Sequence, residues 1–156
     1  MKNMYMIILF VIISLHGISS LACADEESIL SKGQTLYVPA YSHIYAGNRQ
    51  MEILLTVTLS LRNTDPLSSV TITLIDYYGT KGDFIQKFLD KPLVLRPLES
   101  THYIIPHKDV SGGSGANFLV EWKSEKPVNP PLVESIMIGT QGISFTSRGV
   151  PIVTPH

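Results

Sequence analysis

Cysteine is almost absent from this 156-residue chain, and charge is sparse and balanced. Because Cys23 is the single cysteine, the chain can form no internal disulfide, and the remainder offers neither a thiol nucleophile nor a thiolate metal ligand. The 12 Lys and Arg residues face 13 Asp and Glu residues without a basic stripe or a polybasic segment. This pattern gives little electrostatic support for nucleic acid or anionic lipid as a partner.

Long hydrophobic runs are missing as well, apart from one near the start. Residues 4–15 are almost wholly apolar, but a membrane-spanning helix needs about 20 such residues. Lys2 precedes the run, and Ala22-Cys23-Ala24 follows it, ahead of the acidic residues 25–27. This order predicts a secretory signal peptide over residues 1–24, and therefore an exported, periplasmic or extracellular protein.

Two alternatives to cleavage after Ala24 stay open. The apolar run could be retained as a membrane anchor, although it is short for that role. Alternatively, the signal could belong to a lipoprotein, with Cys23 as the lipidated residue. The usual lipobox leucine is replaced by Ser20, while Leu21 lies one place closer to the cysteine, so ordinary cleavage is favoured.

Hydrophobic periodicity predicts strands throughout the remaining chain. In residues 51–62 every odd position is apolar and all but one even position is polar, which is typical of a strand with one buried face. Residues 116–123 show the same alternation, with Trp122 on the apolar face. Residues 70–74 continue it with Val70, Ile72 and Leu74 facing one way, and the blurred phase at 75–78 predicts a bulge or the end of the strand.

The number and spacing of these segments predict the fold class. No segment shows a sustained period of 3.6, and turn residues separate seven to nine short strands. We therefore expect an all-β, immunoglobulin-like antiparallel β-sandwich without a disulfide over residues 35–148, with a small barrel as the alternative. A flexible leader at 25–34 and a frayed tail at 149–156 complete the predicted domain organisation.

Four segments carry a family resemblance: LSLRNTD (59–65), IDYYG (75–79), SGGSGANFLVEW (111–122) and QGISFTSRG (141–149). They resemble the uncharacterised bacterial family known as domain of unknown function 3124, over about residues 34–152. The glycine-rich segment that leads into Trp122 is the most specific part. The resemblance implies a small exported bacterial protein, and it implies no activity, substrate or cofactor.

The loop at 107–115 contains most of the candidate binding residues. Glycines there permit positive φ, and successive exposed N–H groups could hold an anion. A phosphate-binding P-loop would need a lysine and a helix next, and a nucleophile elbow would need a fifth-position glycine where Ala116 stands. The plainer interpretation is a tight turn into the next strand. The candidates are Asp109, Ser111, Gly112, Gly113, Ser114 and Gly115.

Tyr77 and Tyr78 are the other two candidate binding residues. Tyrosine is enriched at binding surfaces, but it is also an ordinary packing residue at sandwich edges. A further group, Tyr37, Tyr41 and Tyr45, is spaced by four, although Pro39 argues against a helix there. These tyrosines are predicted to lie at one end of the sandwich.

Histidines and carboxylates give weaker signals. His102 and His107 would point to opposite faces of a strand, so a zinc site with Asp109 and His43 would require Pro106 to bend the chain. We therefore predict no metal and no cofactor. The separated carboxylates are expected on a solvated face, and they are Asp76, Asp83, Glu99, Glu121 and Glu134.

The sequence therefore predicts a non-enzymatic exported protein that binds or assembles in the cell envelope. Its partner, an envelope protein or ligand, is unknown, and loops 107–115 and 76–83 are the predicted contact regions, because sandwiches bind through end loops or sheet edges. We predict no catalytic residue. The alternative is an envelope hydrolase or metal-dependent enzyme that uses the 102–115 region.

Overall fold

The computed structural model describes residues 30–48 and 51–153. The predicted signal peptide, Cys23 and the first half of the predicted leader lie outside these residues. The described part is all-β and forms no helix, and it contains no helix that could cross a membrane. Its strands are β1 Ser31–Pro39, β2 His43–Ala46, β3 Met51–Arg62, β4 Val70–Tyr78, β5 Phe84–Lys87, β6 Leu93–Leu95, β7 Ser100–Ile105, β8 Asn117–Val128, β9 Leu132–Gly139, β10 Ser144–Arg148 and β11 Val150–Pro151.

Two antiparallel sheets confirm the predicted β-sandwich. The first sheet has the order β11-β1-β8-β4-β5, and β6 also pairs with β4. The second has the order β10-β9-β3-β2, and β7 also pairs with β3. The described residues form eleven strands, where seven to nine were predicted. Two short strands, β2 and β7, pair with β3, and two more, β5 and β6, pair with β4. Strand β11 is only two residues long.

The core forms from the inward faces of the two sheets. On β3 the inward set comprises Ile53, Leu55, Val57, Leu59 and Leu61, as the alternation predicted. Burying each such side chain stabilises the fold by roughly 1.5–3 kcal/mol relative to its exposure to water. From the other sheet, Phe118, Val120 and Trp122 of β8 face them, and Trp122 is fully buried, which confirms its predicted position.

Strand β4 departs from the predicted phase. Leu74 is only half-buried, whereas Ile75 is fully buried, because the register against β8 shifts between Ile72 and Leu74. The extra residue at Thr73 turns the following side chains to the other face. Strand β4 ends at Tyr78, which is one of the two outcomes predicted for residues 75–78. The bulge against β8 lies earlier, at Thr73, and a second shift between Tyr77 and Tyr78 occurs in the pairing with β5.

Both ends of the predicted domain are more ordered than the sequence indicated. Strand β1 begins at Ser31, inside the predicted leader, and pairs with β8. In the predicted frayed tail, Val150 and Pro151 pair with β1. Gly149 carries the chain from one sheet to the other, and a Cβ there would lie 3.1 Å from Val38 Cγ2, so the crossing leaves little room for a side chain.

The loops gather at two opposite ends of the sandwich, because the strands are antiparallel. One group connects β3 to β4, β6 to β7 and β8 to β9, and we call it the Asn63 end (residues 63–69, 96–99 and 129–131). The other connects β4 to β5, β7 to β8 and β9 to β10, and we call it the glycine end (residues 79–83, 106–116 and 140–143). Strand β1 starts at the Asn63 end, since Ser31 pairs with Val128.

Candidate functional site

The glycine end joins the two loops that the sequence singled out. The Thr80 backbone N–H donates to the Gly112 carbonyl at 2.8 Å, and the Thr80 hydroxyl donates to the same oxygen at 2.9 Å. The Gly115 N–H donates in turn to the Thr80 hydroxyl at 2.9 Å. Residues 107–115, the glycine loop, therefore lie directly against the turn at 79–83 as one surface.

At two positions of this loop the backbone lies so close to neighbouring side chains that only glycine fits. A Cβ on Gly112 would lie 1.9 Å from the Tyr77 hydroxyl oxygen and 2.6 Å from the Ala116 Cβ. Gly113 has a φ of 76°, and its Cβ would lie 2.5 Å from the Thr80 hydroxyl. These close approaches explain why residues without a side chain occupy positions 112 and 113.

The amide groups of the loop are largely used within the protein. The Gly113 N–H donates to the Val110 carbonyl at 3.1 Å, and the Gly115 N–H donates to Thr80. The Ser111 N–H and hydroxyl both donate to Asp109 Oδ1, at 3.0 and 2.6 Å. These bonds fix the shape of the loop and use amides that an anion site would need.

Tyr77 supports the glycine loop from inside the sandwich. It is fully buried, packs on Phe118 with ring centroids 5.0 Å apart, and shares a 3.1 Å hydrogen bond between its hydroxyl and that of Ser42. Burial raises the pKa of Tyr77 despite the Ser42 bond, and the charge of Asp109 raises it further, so the hydroxyl stays protonated. Ser42 also donates its backbone N–H to the Gly113 carbonyl, which ties the core to the loop.

The neighbouring candidate, Tyr78, has a different setting. It is half-buried and meets the exposed Phe84 edge to face, with ring centroids 5.8 Å apart. Of the two predicted tyrosines, therefore, Tyr78 reaches the surface and Tyr77 belongs to the core.

The exposed side chains of the glycine end are chemically mixed. They include hydroxyl groups, both signs of charge and one apolar group, which suits contact with a partner through hydrogen bonds and one apolar anchor. In the glycine loop and the adjoining turn the exposed members include Thr80, Lys81, Asp83, Lys108, Val110, Ser111 and Ser114, and the third loop adds Thr140 and Gln141.

The candidate histidines occupy separate elements. His102 lies on the outer face of the second sheet, in an open groove of about 390 Å³ that Thr58, Arg62 and Ile136 also line. His107 belongs to the glycine loop, and His43 Nε2 lies 3.1 Å from the Tyr45 hydroxyl. Among residues 30–48 and 51–153, no three His, Cys, Asp or Glu side chains lie together as a metal site.

The candidate carboxylates lie apart from one another, mostly on strands. Glu121 Oε1 is 2.9 Å from Lys123 Nζ, and this contact lowers the pKa of Glu121. Glu134 lies 3.9 Å from Arg62, and Glu99 bonds Arg96. Asp76 differs, because its Oδ1 is buried and has no hydrogen-bond partner among the described residues.

At the opposite end, Asn63 has a structural role that its local sequence does not reveal. Its buried amide nitrogen donates to the carbonyls of Ser68 at 2.8 Å, Leu95 at 3.2 Å and Arg96 at 2.9 Å. Leu95 and Arg96 are more than 30 positions away, so the local motif gives no sign of this contact. Asn63 thus joins two loops of its end.

Asp65 completes this network. Its Oδ1 accepts the N–H groups of Leu67 at 2.9 Å and Ser68 at 2.8 Å, and its Oδ2 accepts the N–H of Asn129 at 3.1 Å. These backbone donors lower the pKa of Asp65 to about 2, because they stabilise the ionised carboxylate. The aspartate of an Asn-x-Asp-Pro sequence is the signal that could have indicated it.

Comparison with known proteins adds a family and little else. A family model described as "Protein of unknown function (DUF3124)" matches residues 33–152, which confirms the resemblance. No curated protein matches the chain. A structure titled "Crystal Structure of Thermotoga maritima 1070" is similar with 13% identity and a TM-score of 0.45, over 78% of this chain and 96% of that chain.

Proposed function

This chain belongs to the DUF3124 family of proteins of unknown function, and we propose that it is an exported binding protein of the cell envelope whose partner contacts the glycine end. Support for export comes from the order of charge, apolar run and small residues in residues 1–24. Support for binding comes from the geometry of the glycine end.

One observation carries the proposal. The two loops that the sequence selected separately, 107–115 and 76–83, meet through three hydrogen bonds between Thr80 and the glycine loop. A surface that is fixed before binding loses less conformational entropy when a partner arrives, so its contacts contribute more to affinity.

The chemistry of this surface favours a polar, uncharged segment of a partner. Lys81 and Asp83 place both signs of charge on the same turn, so neither sign dominates. Ser111 and Ser114 offer hydroxyl groups, and Val110 is 50% exposed and offers an apolar anchor. A small apolar group within a polar rim is a usual arrangement for recognition of a protein surface.

The hydrolase alternative finds no matching geometry among the described residues. Ser111, rather than a histidine, binds Asp109 Oδ1, and Ser114 lies on an exposed turn that leads into a strand. His102 belongs to a groove on the face of the second sheet. An activated serine needs its base within about 3 Å, with a third group to orient that base.

Site-specific photocrosslinking in the native envelope tests the binding proposal. We expect a photoreactive residue at Ser114 or Lys81 to form a discrete protein adduct, and one at Thr146, on the outer face of the second sheet, to form none. Val110→Asp should abolish the adduct, whereas Val94→Asp, which changes a valine of similar exposure away from the glycine end, should leave it intact. Equal adducts from all three positions, or none from Ser114 and Lys81, would overturn the proposal.

Mass spectrometry of the purified protein tests export separately. A mature N-terminus at Asp25 supports cleavage after Ala24, and a lipid-modified Cys23 supports the anchored form. An intact Met1 on protein recovered only from the cytosol would contradict both.

A further inference from the structure

The groove on the outer face of the second sheet has the lining of a small-molecule site. Its volume of about 390 Å³ falls within the range of roughly 300–1,000 Å³ that is usual for ligand pockets. Strands β7, β3 and β9 form it, and its side chains stand in successive rows across the sheet. These rows include Thr58 with Ile104 and Ile136, then Ser60 with His102, then Arg62.

Ser60 provides a hydroxyl group at the floor of the groove. The residue faces outward on β3, yet it is only 5% exposed, and it lines the groove. Among residues 30–48 and 51–153, its hydroxyl has no hydrogen-bond partner. Nearly buried polar groups are normally hydrogen-bonded, so this hydroxyl is available to a molecule that enters the groove.

Arg62 contributes a guanidinium group whose donors are also unused within the described chain. Its Nε lies 3.9 Å from Glu134 Oε1, which is too long for a hydrogen bond. Ser100 and His102 lie on β7, on the opposite side of β3 from Glu134. An anionic group on the β7 side of Arg62 would therefore meet a cation, a hydroxyl and an imidazole, and it would be separated from Glu134 by β3.

The other part of the groove is apolar. Ile104 and Ile136 flank Thr58, and Ile104 is 51% exposed. Ile138, also 51% exposed, extends the apolar surface by one row on β9. Four residues of strand separate Thr58 from Arg62, so the apolar and cationic parts are about 13 Å apart along the sheet.

From these observations we propose that the groove binds a small carboxylic acid with an apolar chain. The carboxylate accepts hydrogen bonds from Arg62 and Ser60, and the chain lies on Ile104 and Ile136. A guanidinium group matches a carboxylate in charge and in the spacing of its donors, which is why this anion is favoured over an uncharged polar group. The site is separate from the glycine end and does not depend on the partner proposed there.

Calorimetric titration of the purified protein with octanoate tests this proposal. We expect one octanoate to bind per chain, and amide NMR signals of residues 58–62 and 100–104 to shift with it. Octanamide has the same chain without the charge, so it should bind about tenfold more weakly. Acetate lacks the chain and should cause no shifts at the concentration at which octanoate saturates the protein.

Charge variants test which residue receives the carboxylate. Arg62→Gln should weaken octanoate binding about tenfold, because it removes the cation and one pair of charged donors. Lys87→Gln makes the same change of charge on the first sheet and should leave the affinity unchanged. Glu134→Gln should increase the affinity by about twofold, since it removes a negative charge near the bound anion.

Variants of the groove surface test its shape. Ser60→Leu directs a larger side chain into the groove and should abolish octanoate binding. Ile104→Asp, at a half-exposed position, should also weaken it, because the new charge repels the anion and interrupts the apolar part. Equal affinity for octanoate and octanamide, an unchanged affinity in Arg62→Gln, or shifts confined to other strands would overturn the proposal.

The two proposals can fail independently. Val110→Asp should abolish the protein adduct of the glycine end and leave octanoate binding unchanged. Ser60→Leu should abolish octanoate binding and leave the adduct at Ser114 intact. Loss of octanoate binding in Val110→Asp would show that the acid binds at the glycine end, and it would overturn the groove site alone.

Discussion

The two ends of the sandwich achieve order by opposite means. At the glycine end, the backbone of residues 112 and 113 approaches Tyr77 and Thr80 because side chains are missing. At the Asn63 end, the buried side chains of Asn63 and Asp65 form hydrogen bonds with carbonyl and N–H groups of the surrounding loops. The structure of the glycine end depends on the absence of side chains at two positions, and that of the Asn63 end depends on hydrogen bonds from two buried polar side chains.

This difference determines how each end can be damaged. The contacts that the glycine loop makes with Tyr77 and Thr80 involve neutral groups, so those contacts should be insensitive to acid but intolerant of a single added carbon. The Asn63 end includes a carboxylate that must be ionised to accept its four donors, so acid should weaken it. The following predictions test this contrast, beginning with the largest expected effect.

Gly112→Ala should be the most damaging single methyl addition. Its Cβ would meet the Tyr77 hydroxyl at 1.9 Å, and the buried ring cannot move without disturbing the core. We expect a loss of about 3 kcal/mol in the free energy of unfolding, measured by urea denaturation. Gly47→Ala is the matched control, because Gly47 has a φ of 67° but nothing within 4 Å, and it should cost about 1 kcal/mol. If both variants lost the same free energy of unfolding, the close packing of Gly112 on Tyr77 would not be what stabilises the glycine end.

Asn63→Ala should destabilise the other end by about 1–3 kcal/mol, since three carbonyls lose their donor in a buried setting. Thr64→Ala serves as the control. The Thr64 hydroxyl donates to the Pro130 carbonyl at an exposed site, and its loss should cost no more than about 0.5 kcal/mol. The midpoint of urea unfolding at pH 7 measures both variants, and a smaller loss for Asn63→Ala than for Thr64→Ala would contradict the role of the buried amide.

The stability of the protein should fall in acid through Asp65. The pKa of Asp65 is about 2 in the folded protein and about 3.9 for an unperturbed aspartate. A lowered folded-state pKa means that the carboxylate stabilises the fold fully above pH 4 and progressively less as the pH falls toward 2. Urea midpoints at pH 7, 4, 3 and 2 should show this decline. The Asp65→Asn variant should be less stable at pH 7 and show a shallower decline, and an unchanged slope would exclude Asp65 as its source.

Leu98→Gly should have the smallest effect and the opposite sign. Glycine removes the strain of a positive φ, but it also increases the freedom of the unfolded chain, so a gain below about 1 kcal/mol is expected. Thermal unfolding measures the change. A clear loss of stability would mean that the Leu98 side chain packs within the protein.

Much of the fold could be predicted, because the alternation of apolar and polar residues along a strand shows which of its faces is buried. Residues 51–62 show their inward face in the sequence, and Trp122 falls on the predicted side. The phase of β4 could not be predicted, because one bulged residue at Thr73 reverses the pattern over only three or four positions. The two-residue strand β11 is too short to carry any period.

The candidate site was predictable only in part. The sequence selected the glycine loop and its neighbouring turn, but it could not show that Thr80 joins them, since their contact spans more than 30 residues. It also could not show that Gly112 lies against the Tyr77 hydroxyl, since that approach depends on how the core packs. The Asn63 network was missed because its acceptors are backbone carbonyls, which every residue possesses.

The position of β1 has a mechanical consequence. This strand begins at the Asn63 end and pairs with β8 at eight positions along its length, while β11 pairs with Leu36 and Tyr37 on its other edge. A pull on β1 from the Asn63 end would act along the strand. All of those pairs would then bear load in shear at the same time, instead of separating one after another, so the domain is arranged to resist force applied along its long axis.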